Sequence, residues 1–146
     1  MGVLTEIYIA DVADAPALRD HLRRDDRWTG IDVKGQSEIT LSELWHVLNP
    51  SVSASEVEGE FKLLTDDDAE GPWVYLIPEE LAKTIGETKD EELPRIHKAW
   101  LDQEEMSGNV MDDGDAACVL AQLKDLVSLA RTATTQNKTL LMWVCL

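Results

Sequence analysis

The run Thr139-Leu140-Leu141-Met142-Trp143-Val144-Cys145-Leu146 constrains this chain more than any other segment. A strand with one wet face alternates apolar and polar residues; this run is apolar at both parities. It reads as a strand in the middle of a sheet, covered on both sides. A core strand at this position leaves no room for a tail. Just before it, Ala116 to Ala133 is the best-patterned helix, with Leu120, Leu123, Val127 and Ala130 on one face.

The other elements follow from local chemistry. Val3 to Ala10 is rich in β-branched and aromatic residues and reads as a strand. Asp14 caps a short helix running through Leu18 and Leu22, with Pro16 in its first turn. Gly30 to Val33 reads as a short second strand. Thr40-Leu41-Ser42-Glu43 has capping-box spacing and opens a helix with Leu41, Leu44, Trp45 and Leu48 on its apolar face. Ser53-Ala54-Ser55-Glu56 repeats that spacing, ahead of a helix carrying Val57, Phe61 and Leu64. Trp73 to Ile77 reads as a buried strand, and Pro78-Glu79-Glu80 starts a helix ending near Gly86. Thr88-Lys89-Asp90-Glu91 is a third capping pattern, leading into Leu93, Ile96, His97 and Trp100. Residues 66–72 and 102–115 read as loops, the second one mobile. The expected fold is α/β or α+β: a single domain over residues 1–146, with a small mixed sheet, several helices and a buried C-terminal strand.

The net charge of −16 is unevenly spread. Residues 56–115 carry nineteen acids and five bases, whereas residues 116–146 carry one acid and three bases. This acidity argues against nucleic acid, whose phosphates need Lys and Arg. Arg19, Arg23, Arg24 and Arg27 alternate with Asp20, Asp25 and Asp26 and read as a solvated helix face. No stretch approaches a membrane span, and no secretory leader precedes the first strand. The myristoylation pattern wants Ser or Thr where Glu6 stands. Cys118 and Cys145 sit among apolar neighbours and read as buried free thiols of a cytoplasmic protein.

Three stretches carry a family resemblance: Leu44-Trp45-His46-Val47-Leu48; the strand, proline and two helices from Trp73 to Trp100; and the last helix and strand from Leu120 to Val144. In the order of these pieces the chain resembles the YfbM-like family of small uncharacterised bacterial proteins. That family commonly has a tryptophan a few residues before the histidine; here Trp45 is directly adjacent to it. The resemblance implies a fold and a soluble bacterial protein, and it implies no chemistry.

Candidate site residues are few. His21 stands among surface charges. His46 and His97 stand beside the apolar faces of their helices and could share a carboxylate, or could be satisfied within the structure. Trp45, Trp73, Tyr75 and Trp100 could line a pocket or fill the core. The chain has no Gly-x-Ser-x-Gly elbow, His-Glu-x-x-His or Walker loop, and no catalytic residue is assigned. Asp66, Asp67, Asp68 and Glu70, with Asp112, Asp113 and Asp115, form two acidic loops without the order of a calcium loop. No metal or cofactor is expected. The leading expectation is a non-catalytic binding or interaction module, immunity-like in one version, taking a basic protein by complementary charge. The alternative is a small enzyme using His46 or His97 with a carboxylate.

Overall fold

The computed structural model describes residues 3–20, 27–66 and 70–146. At its centre is β5, Thr139–Cys145. Strand β1, Leu4–Ala10, pairs with β5 along its whole length, from Leu4 opposite Cys145 to Ala10 opposite Thr139. Strand β4, Trp73–Leu76, takes the other side. Two short strands complete the sheet: β2, Gly30–Asp32, against β1, and β3, Lys62–Leu63, against β4. The spatial order is β2-β1-β5-β4-β3.

The α+β expectation holds, but the sheet is antiparallel throughout, not mixed. Leu76 at the end of β4 lies opposite Leu141 near the start of β5, so the helices between them return to the end of the sheet they left.

Both faces of β5 are covered. On one, Leu140, Met142 and Val144 join Ile7 and Ile9 of β1. Against them pack Leu41 and Leu44 of α2 (Glu38–Leu48), Leu81 and Ile85 of α4 (Glu79–Gly86), Ile96 and Trp100 of α5 (Leu93–Leu101), and Leu123 and Val127 of α7 (Asp113–Thr135). On the other, Leu141 and Trp143 join Tyr8 and Val74, under Ala15 and Leu18 of α1 (Ala15–Arg19). Each large apolar side chain buried this way is worth roughly 1.5–3 kcal/mol.

Several expectations are corrected. Helix α2 begins at Glu38, capped by Ser37, whose Oγ accepts from the amides of Ile39 and Thr40. Thr40 closes that box through Oγ1, which accepts from the Ser37 amide, so the cap stands three residues before the expected one. After Ser53 the helix is brief: α3 spans Ala54–Val57 and passes through a 3-10 turn at Glu58–Glu60. The chain then turns into β3 because its backbone can pair with Tyr75 and Leu76. Thr88 caps nothing; its hydroxyl donates back to the Thr84 carbonyl. Residues 102–115 are not one loop: α6 spans Glu104–Asn109 and α7 starts at Asp113. Cys118 is exposed because the buried stripe of α7 runs through Val119, Leu123, Leu126, Val127, Ala130 and Ala133, and Cys145 is intermediate at the last position of β5. Leu22, His21, Arg23, Arg24, Asp25 and Asp26 lie outside the described residues, as do Asp67 and Asp68.

One glycine is required by close approach. Gly30 pairs with Tyr8, and a Cβ there would collide with the Tyr8 ring. The ring is 7% exposed and its hydroxyl donates to Glu6 Oε1 at 2.6 Å, so it has little room to move. Gly30→Ala is therefore expected to lower stability by about 1–3 kcal/mol, the usual cost of overpacking. Urea denaturation of the two proteins checks this; an unchanged midpoint would show that the ring yields freely.

Candidate binding groove

Helix α2 positions the groove. Its Ser37 cap fixes the start, and Trp100 Nε1 donates to the Thr40 carbonyl at 2.8 Å, tying α5 across the first turn. One turn further on, Glu43 is 6% exposed, yet it is not left as an uncompensated charge. Its Oε2 accepts from the Glu105 amide at 2.9 Å and its Oε1 from the Met106 amide at 3.0 Å. Those amides belong to the first turn of α6, so Glu43 caps that helix from another element. The pairing is charge-assisted and sits at the positive end of the α6 dipole.

His46 follows on the same helix. Its Nδ1 lies 2.7 Å from the Val52 carbonyl. A carbonyl can only accept, so Nδ1 carries the proton, and in the neutral ring Nε2 is the acceptor nitrogen. This bond folds residues 49–53 back against α2. The result is a shallow groove of about 430 Å³ between the starts of α3 and α6, with Glu43, His46, Val52, Ser53, Gln103 and Glu104 among its lining residues. Each helix start is acidic: Glu56 in α3, Glu104 and Glu105 in α6. Glu43 and Glu104 line the opening itself, and Glu56 and Glu105 follow the lining residues Ser55 and Glu104 in sequence.

The other expected site residues lie apart from it. His97 Nε2 lies 2.7 Å from the Ala116 carbonyl, a bond that ties α5 to the opening of α7. Trp45 and Trp100 are core residues, 3% and 1% exposed. Among the described residues Trp45 Nε1 has no hydrogen-bond partner. Trp73 and Tyr75 are half-buried on β4. Burial raises the Tyr75 phenol above its ordinary value of 10.0, and the Glu38 carboxylate pushes the same way.

Asp112, Asp113 and Asp115 are not loop acids. Asp112 Oδ1 accepts from the Asp115 amide and Asp115 Oδ2 from the Met111 amide, both at 2.8 Å, a reciprocal cap for α7. Asp66 and Glu70 are exposed, flanking the undescribed Asp67 and Asp68. Among the described residues no three His, Cys, Asp or Glu side chains converge as metal ligands. No described helix is long and apolar enough to cross a membrane.

Sequence reasoning missed the role of Glu43. The partner amides stand 62 and 63 residues away, and no local spacing signals such a distance. It also missed Arg131. That side chain donates through Nε to the Gly86 carbonyl and through Nη2 to the Thr88 carbonyl and Asp90, closing the end of α4.

The chain is similar to a solved structure, that of YfbM from Escherichia coli, a protein of unknown function. The TM-score is 0.50 at 15% identity, over 97% of this chain and 99% of that one. At that identity the likeness shows a YfbM-like fold and nothing finer. No protein-family model matches the chain, and no curated protein matches it.

Two outcomes test this geometry. Glu43→Gln is expected to cost about 1–3 kcal/mol, as for a hydrogen-bonded charge. Hydrogen exchange should speed up first at Glu105 and Met106; uniform acceleration across the chain would reject the capping role. The folded state also holds the Tyr75 proton more tightly than the unfolded chain does. That contribution to stability is complete below pH 10.0 and is lost as pH rises through the folded-state value. In Tyr75→Phe the alkaline fall of the urea midpoint should be shallower than in the parent; parallel curves would contradict it.

Proposed function

We propose that this is a cytoplasmic, bacterial, non-catalytic interaction module whose acidic groove receives a basic segment of another protein. The observation that carries this reading is one open groove lined by Glu43 and Glu104 and bordered by the acidic first turns of α3 and α6. Charges arranged this way speed capture of a basic partner and set its orientation more than they add affinity. An immunity-like role, the neutralisation of a basic toxin, is one version of this reading. Of the residues proposed as a ligand site, His46 lines this groove, and Trp45, Trp73, Tyr75, His97 and Trp100 are not among its lining residues.

The enzymatic alternative rests on the acceptor Nε2 of His46. It would need a carboxylate able to act as its partner, and both oxygens of neighbouring Glu43 already accept amide protons. That weighs for binding over catalysis.

An arginine-rich peptide, titrated calorimetrically at low salt, tests the proposal. The double substitution Glu104→Lys, Glu105→Lys should weaken binding about tenfold or more, and raised salt should dissolve the complex. The double substitution Glu79→Lys, Glu80→Lys changes the net charge equally on the exposed start of α4. Equal weakening by both pairs would mean a diffuse charge effect and would sink the groove assignment.

A further inference from the structure

A groove that shares no residue with the acidic one runs between α5 and α7. The two helices lie antiparallel. Asp90, just before α5, meets Arg131 late in α7, and His97 further along α5 meets Ala116 early in α7. The groove measures about 530 Å³, a volume usual for small-molecule sites. Leu93 and Pro94 line it from α5. On the facing wall Leu120, Lys124 and Ser128 recur at four-residue spacing on α7, with Arg131 one turn beyond.

Pro94 is exposed and Leu120 half-buried, so both offer apolar surface to a ligand, and the buried Leu93 and Val127 close the floor. The Lys124 stem adds methylenes to the same wall while its ammonium stays in water. The charged groups are unequally committed. Arg131 donates to the Gly86 and Thr88 carbonyls and to Asp90, the acid among the lining residues. Lys124 and Ser128 are exposed, and among the described residues neither the ammonium nor the hydroxyl has a partner. Side chains four residues apart on a helix are neighbours, so these two donors can meet one acceptor.

The occupant's chemistry follows from that pair. Two uncommitted donors, one of them a cation, call for an anion. The net charge of −16 repels anions from the molecule as a whole, and a dianion more than a monoanion. A single uncommitted cation does not offset that field, so the apolar surface has to supply the rest of the attraction. From Ser128 back to Leu120 helix α7 rises about 12 Å, room for an aliphatic chain of roughly eight carbons. We infer that this groove binds a medium-chain aliphatic monocarboxylate, its carboxylate on Lys124 and Ser128 and its chain along Leu120 and Pro94.

Sodium octanoate, titrated into isotope-labelled protein, tests this. Amide resonances of Leu93 and of residues 120–131 should shift saturably, while those of the acidic groove, residues 51–55 and 103–104, stay in place. Lys124→Gln keeps most of the stem and removes the charge; it should raise the apparent Kd about fivefold, as for one exposed ion pair. Lys62→Gln removes an equal charge from the exposed edge of β3 and should leave the Kd unchanged. Acetate should bind about a hundredfold more weakly than octanoate, because the chain carries the burial. Octanamide binding as tightly as octanoate would overturn the carboxylate assignment, and acetate binding as tightly would overturn the apolar one. Equal weakening by Lys62→Gln would reduce the effect of Lys124 to diffuse charge and overturn its role. Shifts spread equally to Val12 and Leu146, exposed apolar residues elsewhere, would mean unspecific adsorption and overturn the site. So would the absence of any shift at millimolar octanoate in a protein whose spectrum shows it folded.

Discussion

Two-sided burial of β5 is the constraint from which the rest of the architecture follows. A strand paired along both edges and covered on both faces must have neighbours in four directions. Strands β1 and β4 supply two of them, and the helix layer and α1 supply the others. Strand β5 comes last in the described order yet takes the central place in the sheet. Strands β1 and β4, though 62 residues and several helices apart, pair with each other through nothing but this last strand.

Once the layers are set, polar side chains join elements by spending themselves on another element's backbone. Glu43 holds the start of α6 and Arg131 the end of α4. His97 holds α5 to α7, and Trp100 holds α5 to α2. Glu43 and Arg131 satisfy groups at helix ends that would otherwise be unpaired, whereas His97 and Trp100 add a second bond to carbonyls within a helix. Part of the conspicuous charge is therefore structural. Asp112, Asp115 and Glu43 are committed to amides, while Glu56, Glu104 and Glu105 remain at the surface.

Local signals in the sequence were read well where the physics is local. The apolar run 139–146, the proline-acid start of α4 and the long helix before β5 all appear where periodicity and helix-start chemistry place them. Misreadings arose where a nearby match competed with a distant one. Thr40-Glu43 has capping-box spacing, but Ser37 takes the cap and Glu43 serves a helix far along the chain. Acidity and two glycines at 102–115 suggest a loop, whereas Asp112 and Asp115 cap α7 and Met106 anchors α6 in the core, 1% exposed. The groove at His46 was half legible: the histidine was named, but the Val52 carbonyl that orients it and the α6 start that faces it are known from the fold alone.

The margins of the sheet carry a consequence of their own. Its outer strands are β2, with three residues, and β3, with two. An open sheet edge can template pairing with another chain, and long flat edges are the usual starting points of aggregation. Here the two longest strands, β1 and β5, are interior, and the rims offer only a few ladder positions each, with Asp32 on one and Lys62 on the other. The hydrophobic run most prone to cross-chain assembly is thereby withheld from other molecules once the sheet has formed.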